Sequence, residues 1–508
     1  MAIKRNAHNS DFSRNRSAAG RHARRGSGGY SPSSQINNVA GYGSSSRGGS
    51  RRTRRSRSNA RPTRRGAGEG FLDKTVTSIP GHNGDILLTR RHFLYGAAGM
   101  GVLAAAGAGA KAFSAARAEE NALNVLEVPK DAVTESTSLT ELENGGKLYL
   151  SANLELPYGT LMWASDDDYA ALLLPTDTGS PLTSVGLMRL SSGYYFTILN
   201  QALGLAEGFE IYDVRVSDQG IVWTEVDILE GVWRIYGAQL VDAVVTDPHI
   251  MDTGNSEWET PSIAICGTEA FWQVLPNLKG PKRTEPSTLR CASVKGGDYQ
   301  MLLTSNGRFC TPIYASHDQI TVTPRAVADT VHYELTVIDA ASKSVLDTMV
   351  LPQSMKPLEA GYGKTGFMFS FEGIYSYGEG ISNLGTYAPK EDARGANYSA
   401  VPWFHFARTP SAPPCWCGDY LVVKSTRSVV CIDLETDTYF VFDLISGADN
   451  YGDYLASTGN RRRILIFSNI NSEDISGSAS KYCAVRIYTA PSYEPDPEPE
   501  SEEESAEE

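Results

Sequence analysis

Paired arginines are the most informative reactive groups in the chain. Thr89-Arg90-Arg91-His92-Phe93-Leu94-Tyr95 opens an uncharged stretch that ends at Lys111, and Ala116-Arg117-Ala118 follows just before Glu119. A basic segment, a mildly apolar core and a small-residue cleavage site are the order of a secretory signal. Between Phe93 and Ala110 the strongly apolar residues are only Phe93, Leu94, Met100, Val102 and Leu103. They supply about −2 kcal/mol on an insertion scale before the glycines count against them, too little for a firm membrane span.

Other candidate groups point to no reaction. His249, His317, His332 and His405 share no metal-ligand spacing. Ile374-Tyr375-Ser376-Tyr377-Gly378 is close to a G-x-S-x-G nucleophile elbow, but Ile374 stands where the sharp turn needs Gly. It reads as strand and loop. Asp166-Asp167-Asp168 offers oxygen ligands for Ca²⁺ without an EF-hand spacing, and reads as a solvated turn. Seven cysteines all follow residue 118. Most lie in apolar runs, where Cys packs as a small hydrophobe. Cys415-Trp416-Cys417, after Pro413-Pro414, reads as a loop able to form a metal clip or redox pair. Export favours disulfides, and an odd count leaves at least one thiol over. No catalytic residue, no cofactor-binding residue and no metal ligand is assigned, and no cofactor is expected.

The signal segment resembles the twin-arginine pattern of Ser or Thr, two Arg, any residue, Phe and Leu, with Tyr95 in place of the usual Lys. The resemblance implies a twin-arginine translocase as partner, recognition through Arg90, Arg91, Phe93 and Leu94, cleavage after Ala116-Arg117-Ala118 so that Glu119 begins the mature chain, and passage of an already folded body. An uncleaved transmembrane anchor is the plainer alternative. Residues preceding Thr89 make the basic segment unusually long, unless translation starts downstream at a non-Met codon, for example near Val76.

Charge divides the chain at the same place. Residues 1–91 carry +15, residues 92–118 carry +2 and residues 119–508 carry −30. The Arg/Ser/Gly-rich arm, residues 1–88, has too little apolar surface to offset its ordering entropy and is expected to be disordered. Its run Arg51-Arg52-Thr53-Arg54-Arg55-Ser56-Arg57 suits an anionic membrane surface. Few aromatics are present to stack bases, and the acidic mature domain is not expected to bind nucleic acid. The acidic tail, residues 491–508, is expected to be disordered as well.

The elements that would position any site are strands. From 146 to 490, short runs of Val, Ile, Tyr, Trp, Phe and Thr alternate with turn residues. Val214–Val216, the turn Ser217-Asp218-Gln219-Gly220 and Ile221–Glu225 read as a hairpin. Met301–Leu303, Asn306-Gly307 and Phe309–Ile313 read as another. Ile338-Asp339-Ala340-Ala341-Ser342-Lys343-Ser344-Val345 repeats as Ile432-Asp433-Leu434-Glu435-Thr436-Asp437-Thr438-Tyr439, 94 residues or twice 47 further on. Propeller blades repeat every ~40–50 residues. Gly186–Leu190, Val232–Leu240, Leu289–Val294 and Cys483–Thr489 fall near the same grid, and Ile381–Tyr387 is a poor copy.

The stretch Ser217–Glu225 followed by Trp233-Arg234-Ile235-Tyr236 resembles the TolB-like propeller repeat, with Asp-Gln-Gly in place of the usual Asp-Gly. The expected architecture is therefore an all-β protein, with a β-propeller of seven blades, or six as the alternative, over 146–490. It is preceded by the disordered arm 1–88, a signal helix in 89–118 and a linker 119–145. The expected function is an exported extracellular or envelope module that binds or scaffolds an unidentified protein or small-molecule ligand. Alternatives are an exported propeller hydrolase or lyase, which requires titratable residues clustered at one end of the channel, and a membrane-tethered sensor with an uncleaved anchor.

Overall fold

The computed structural model describes residues 146–371 and 411–491 except 329, 354, 365, 426 and 474–478. It also describes short stretches at 75–81, 84–89, within 123–142 and between 376 and 405. Two strands, Thr75–Gly81 and Gly84–Thr89, pair as an antiparallel hairpin inside the range read as the basic arm. Arg90, Arg91, Phe93, Leu94, Ala116, Ala118, Glu119 and the acidic tail lie outside the described residues. Among the described residues there is no α-helix, and no helix is long and apolar enough to cross a membrane.

The body is a β-propeller. Among the described residues, seven sheets of four or more strands follow one another. The first four are simple antiparallel meanders; the first runs Leu161–Trp163, Tyr169–Pro175, Thr183–Arg189, Tyr195–Leu199. The leading strands of the second to sixth sheets contact one another in succession, so the leading strands are taken to line the axis. They are Leu161–Trp163, Glu210–Val216, Ser262–Cys266, Tyr314–Ser316, Pro357–Gly363, Cys415–Cys417 and Ala448–Leu455.

Side chains alternate across a strand, so a sheet packed on both faces needs apolar residues at consecutive positions. In Tyr169–Pro175, Ala170, Leu172 and Leu174 enter one core while Ala171 and Leu173 enter the next. Tyr420 and Val422 likewise face one neighbour, Leu421 and Val423 the other. Seven core clusters result, each between two successive sheets. One of them joins the seventh sheet to the first, through Leu465, Phe467, Val485 and Ile487 against Met162, Leu172, Leu174 and Met188.

The seventh sheet is built from both ends of the chain. Ala448–Leu455, Arg463–Glu473 and Ala479–Thr489 are completed by Tyr149–Pro157, which pairs antiparallel with Ala479–Thr489.

The repeat seen in the sequence has a structural cause. Asp339 ends the third strand of the fourth sheet and its carboxylate accepts from Ser342 N at 2.6 Å. Asp433 ends the third strand of the sixth sheet and accepts from Glu435 N at 3.0 Å and Thr436 N at 3.3 Å. Lys343 and Asp437, at the same place in the two turns, both have positive φ, 61° and 51°. The other grid positions are third strands too.

One hairpin reading is corrected. Gln300–Ser305 is the outer strand of the third sheet, and Asn306-Gly307 begins the crossing to the fourth. A Cβ on Gly307 would meet Arg325 Cδ at 2.5 Å, so the glycine serves close approach between sheets rather than a tight turn.

Leu156, 3 % exposed in the core between the seventh and first sheets, tests the closure. Leu156→Ala should cost about 2–5 kcal/mol, read as a lowered urea midpoint with an unchanged slope. A loss below ~0.5 kcal/mol would mean that this strand does not close the ring.

Candidate functional site

The channel is blocked at one end by its own chain. The link between the first two strands of the seventh sheet, residues 456–462, is long and runs across the axis. Its short strand Gly459–Arg461 pairs in parallel with Cys415–Cys417. Thr458 Oγ1 donates to Ala315 O of the fourth sheet at 2.8 Å, and Asn460 N to Ser316 Oγ at 3.2 Å. Thr458 N donates to Ala164 O of the first sheet at 3.2 Å. Gly459 has φ +76° and a Cβ there would lie 2.3 Å from Ser316 Cβ, so only glycine allows this approach.

Arg461 holds the plug from within. Its side chain donates to Thr458 O at 2.6 Å, to Ser165 O, and to Ala315 O at 3.5 Å. It is 2 % exposed, and burial pulls its pKa below the usual arginine value. Asp167, read from sequence as part of a solvated turn, is a buried anchor: its carboxylate accepts from Arg462 N at 3.0 Å and lies 3.5 Å from His317 Nε2. Asp166 shapes the turn by accepting from Asp168 N at 2.8 Å and Tyr169 N at 3.2 Å. The acidic triplet is committed to the plug and its turn rather than to a cation.

Above the plug, inner strands of four sheets converge on one polar cluster. Trp163 comes from the first sheet, Asp213 and Arg215 from the second, Tyr314 from the fourth and Glu359 from the fifth. The Arg215 guanidinium lies 4.5 Å from the centre of the Trp163 ring and pairs with Asp213. Tyr314 donates its hydroxyl hydrogen bond to Glu359. Asp213 and Arg215 bear electrostatically on Tyr314 although a whole sheet separates their strands in the ring. Burial pushes the Glu359 carboxyl up to about 8, partly offset by the Tyr314 hydrogen bond. Burial first, then the Glu359 charge, drives the Tyr314 phenol well above 10. Burial also raises Asp213, with Arg215 opposing. At neutral pH the cluster thus holds a protonated carboxyl on a phenol, beside the Asp213–Arg215 pair and an indole.

Single sequence positions carried no sign of this cluster. Asp213, Arg215, Tyr314 and Glu359 sit inside strand runs, and only the ring brings them together. Once inner strands are recognised, their charged residues are the signal that finds them.

The remaining candidates have structural roles. Cys415-Trp416-Cys417 is not a loop but the inner strand of the sixth sheet, buried throughout. Both side chains pack into the core between the sixth and seventh sheets, and burial pushes the Cys415 thiol up to about 12 and raises Cys417 too, so the pair reads as core rather than as an exposed metal clip or redox pair. None of the seven cysteines forms a disulfide. His332 bridges Leu351 O at 2.9 Å and Thr330 Oγ1 at 3.0 Å, and His249 reaches Asp247 O at 3.2 Å. Ser376–Tyr377 pairs with Gly380–Ile381 as a small hairpin, while the side chains of Ser376 and His405 lie outside the described residues. Among the described residues no group of His, Cys, Asp and Glu could hold a metal ion.

No protein-family model and no curated protein sequence matches the chain. Among solved structures it is similar to an oligogalacturonate lyase in complex with manganese, at TM-score 0.40 and 10% identity over 70% of this chain and 96% of that one. It is similar to the β-propeller domain of the Trilobed protease from Pyrococcus furiosus, at 0.38 and 10% over 67% and 94%. A puromycin hydrolase follows at 0.40 and 12%, over 71% of this chain and 56% of that one. Likenesses this slight carry no argument about what the channel does.

Glu359 yields a signed pH dependence. Its folded pKa is raised, so its neutral form stabilises the fold fully below about pH 4.5, and that stability is lost as pH rises through about 8. Glu359→Gln keeps the neutral form and should be more stable than the parent at pH 9 by a few kcal/mol, with the gap closing by pH 5. Parallel melting curves across that range, with no change in the gap, would show that Glu359 is not held neutral.

Proposed function

We propose that the chain is exported by the twin-arginine route and acts outside the cytoplasm as a seven-bladed propeller binding module. Its ligand is a small polar molecule taken at the channel cluster of Trp163, Arg215, Tyr314 and Glu359. The convergence of these groups from four sheets, directly above a plug, carries the reading. The plug closes one end, so the ligand enters from the face opposite residues 456–462. Ligand sites of this kind combine apolar walls with a few placed polar groups; here an indole supplies the wall, and a guanidinium and a carboxyl–phenol pair supply the polar groups.

The test is a thermal-shift screen of small carboxylates, sugars and amines against the parent and Tyr314→Phe. A bound class should raise the parent's Tm by several degrees at a hundred times its Kd and the variant's by clearly less. Equal shifts in both proteins would remove the channel cluster as the site.

A second reading, an exported hydrolase or lyase, is favoured by one specific observation. The Glu359–Tyr314 pair holds a transferable proton near neutral pH next to the Asp213–Arg215 pair, so the titratable cluster that an enzyme requires is present. Turnover of a bound compound, with a pH limb near 8 that Glu359→Gln abolishes, distinguishes this from binding alone.

Export rests on the residues Arg90, Arg91, Phe93 and Leu94, with Ala116, Ala118 and Glu119 at the cleavage site. Replacing both arginines by lysine should hold the protein in the cytoplasm, and the exported form should begin at Glu119 by N-terminal sequencing. Undiminished secretion of the double-lysine protein would reject the route. An exported form that keeps the segment would favour the tethered sensor, with the Arg-rich arm left against the anionic inner membrane surface.

A further inference from the structure

The stretch expected to be a linker, within residues 119–145, is a strap around the rim. Leu126 N donates to Val350 O of the fourth sheet's outer strand at 2.8 Å, and Val125 bridges Val350 in parallel. Val133–Glu135 pairs in parallel with Trp403–His405, the outer strand of the fifth sheet. Thr140–Glu141 pairs in parallel with Thr438–Val441, the outer strand of the sixth. The chain then becomes the outer strand of the seventh sheet, Tyr149–Pro157.

At each step a leucine enters the gap between two sheets. Leu126 joins the core between the fourth and fifth, and Leu139 the core between the fifth and sixth. Leu148 joins the core between the sixth and seventh, and Leu156 the core between the seventh and first. All four are 9 % exposed or less. Four successive gaps filled from one continuous segment make the strap a built part of the body.

Taken singly, the pairings before residue 142 are very short: one bridge, three residues and two residues. Pairings of this length have little stability alone. Their common anchor is the strand Tyr149–Pro157, which exists as part of a sheet only when Ala479–Thr489 is in place. Leu148 adds to this dependence, since it packs with Ile464, Ile466 and Ala490 of the seventh sheet.

We propose that residues 123–148 are a completion lock, docking on the rim only when the C-terminal strand Ala479–Thr489 has closed the ring, and stabilising that strand in return. A chain lacking its last strands would leave its N-terminal part unanchored. On the export reading, that difference separates finished from unfinished protein; the coupling itself does not depend on that reading.

Native-state hydrogen exchange on the full chain tests it. In the parent, amides of 125–126, 133–135 and 138–142 should open together with 479–489 as one unit. Val485→Ala, in the closing strand, should accelerate exchange in both segments by the same factor, roughly tenfold or more. Coupling is reciprocal, so Leu139→Ala, remote from the seventh sheet, should accelerate exchange in 479–489 as well as in the strap. Exchange of the strap at the rate of free chain in the parent would overturn the lock. So would acceleration confined to the mutated segment in either variant.

Discussion

Everything in this protein depends on the pairing of Tyr149–Pro157 with Ala479–Thr489. A sheet buried on both faces is stable only between two neighbours. In a row of such sheets the first and last would each expose an apolar face to water. Joining the two ends of the chain in one sheet removes both exposed faces at once, because the core of Leu156, Val485 and Ile487 packs on Leu172, Leu174 and Met188. The sheets between them contribute continuous apolar runs such as Ala170–Leu174 because no face of theirs meets solvent.

Closure creates an axis, and the axis explains the plug and the polar cluster together. Inner strands surround a narrow space where backbone edges and polar side chains meet. At one end, residues 456–462 fill that space with hydrogen bonds to carbonyls and turns of other sheets. Arg461 is tied there to three carbonyl oxygens, and the charges of Asp167 and Asp166 act on it as well. Above it the side chains of Asp213, Arg215, Tyr314 and Glu359 satisfy one another instead of water. A buried carboxyl without a cation at hand stays protonated, which is the state of Glu359, whereas Asp213 has Arg215 beside it.

Much of the fold was legible in the sequence because turns repeat for a local reason. An Asp that accepts backbone hydrogen bonds two and three residues on leaves a recurrent mark, and Asp339 and Asp433 carry it at the same point of two sheets. Every grid position found by spacing is a third strand, including the poor copy at Ile381–Tyr387, where Leu384–Thr386 lies. Ser217 was legible for a similar reason: its hydroxyl receives Gly220 N at 3.0 Å and donates to Gly267 O of the next sheet at 2.6 Å. The candidate site was not legible, because its partners lie in different sheets with no fixed spacing. Asp166-Asp167-Asp168 and Cys415-Trp416-Cys417 misled for the same reason: what buries them is the plug, a segment some 40 to 300 residues away in sequence. The strap escaped notice because its leucines recur at unequal intervals, set by the width of each sheet rather than by a helix or strand period.

The thiols connect the fold to the proposed route. Six of the seven cysteines are buried and Cys310 is half-buried; none forms a disulfide. Burial holds Cys266 and Cys415 up to about 12 and raises Cys417, Cys431 and Cys483 as well. Thiol–disulfide exchange needs an accessible thiolate, so folding shelters the six buried thiols from an oxidant. The same chain crossing unfolded would offer seven thiols, an odd number, to oxidation before the sheets could shelter them. A propeller whose stability requires two distant strands to meet, and whose cysteines are built as core residues, gains most when it folds completely before its thiols meet an oxidant. That gain follows from the ring and its core alone.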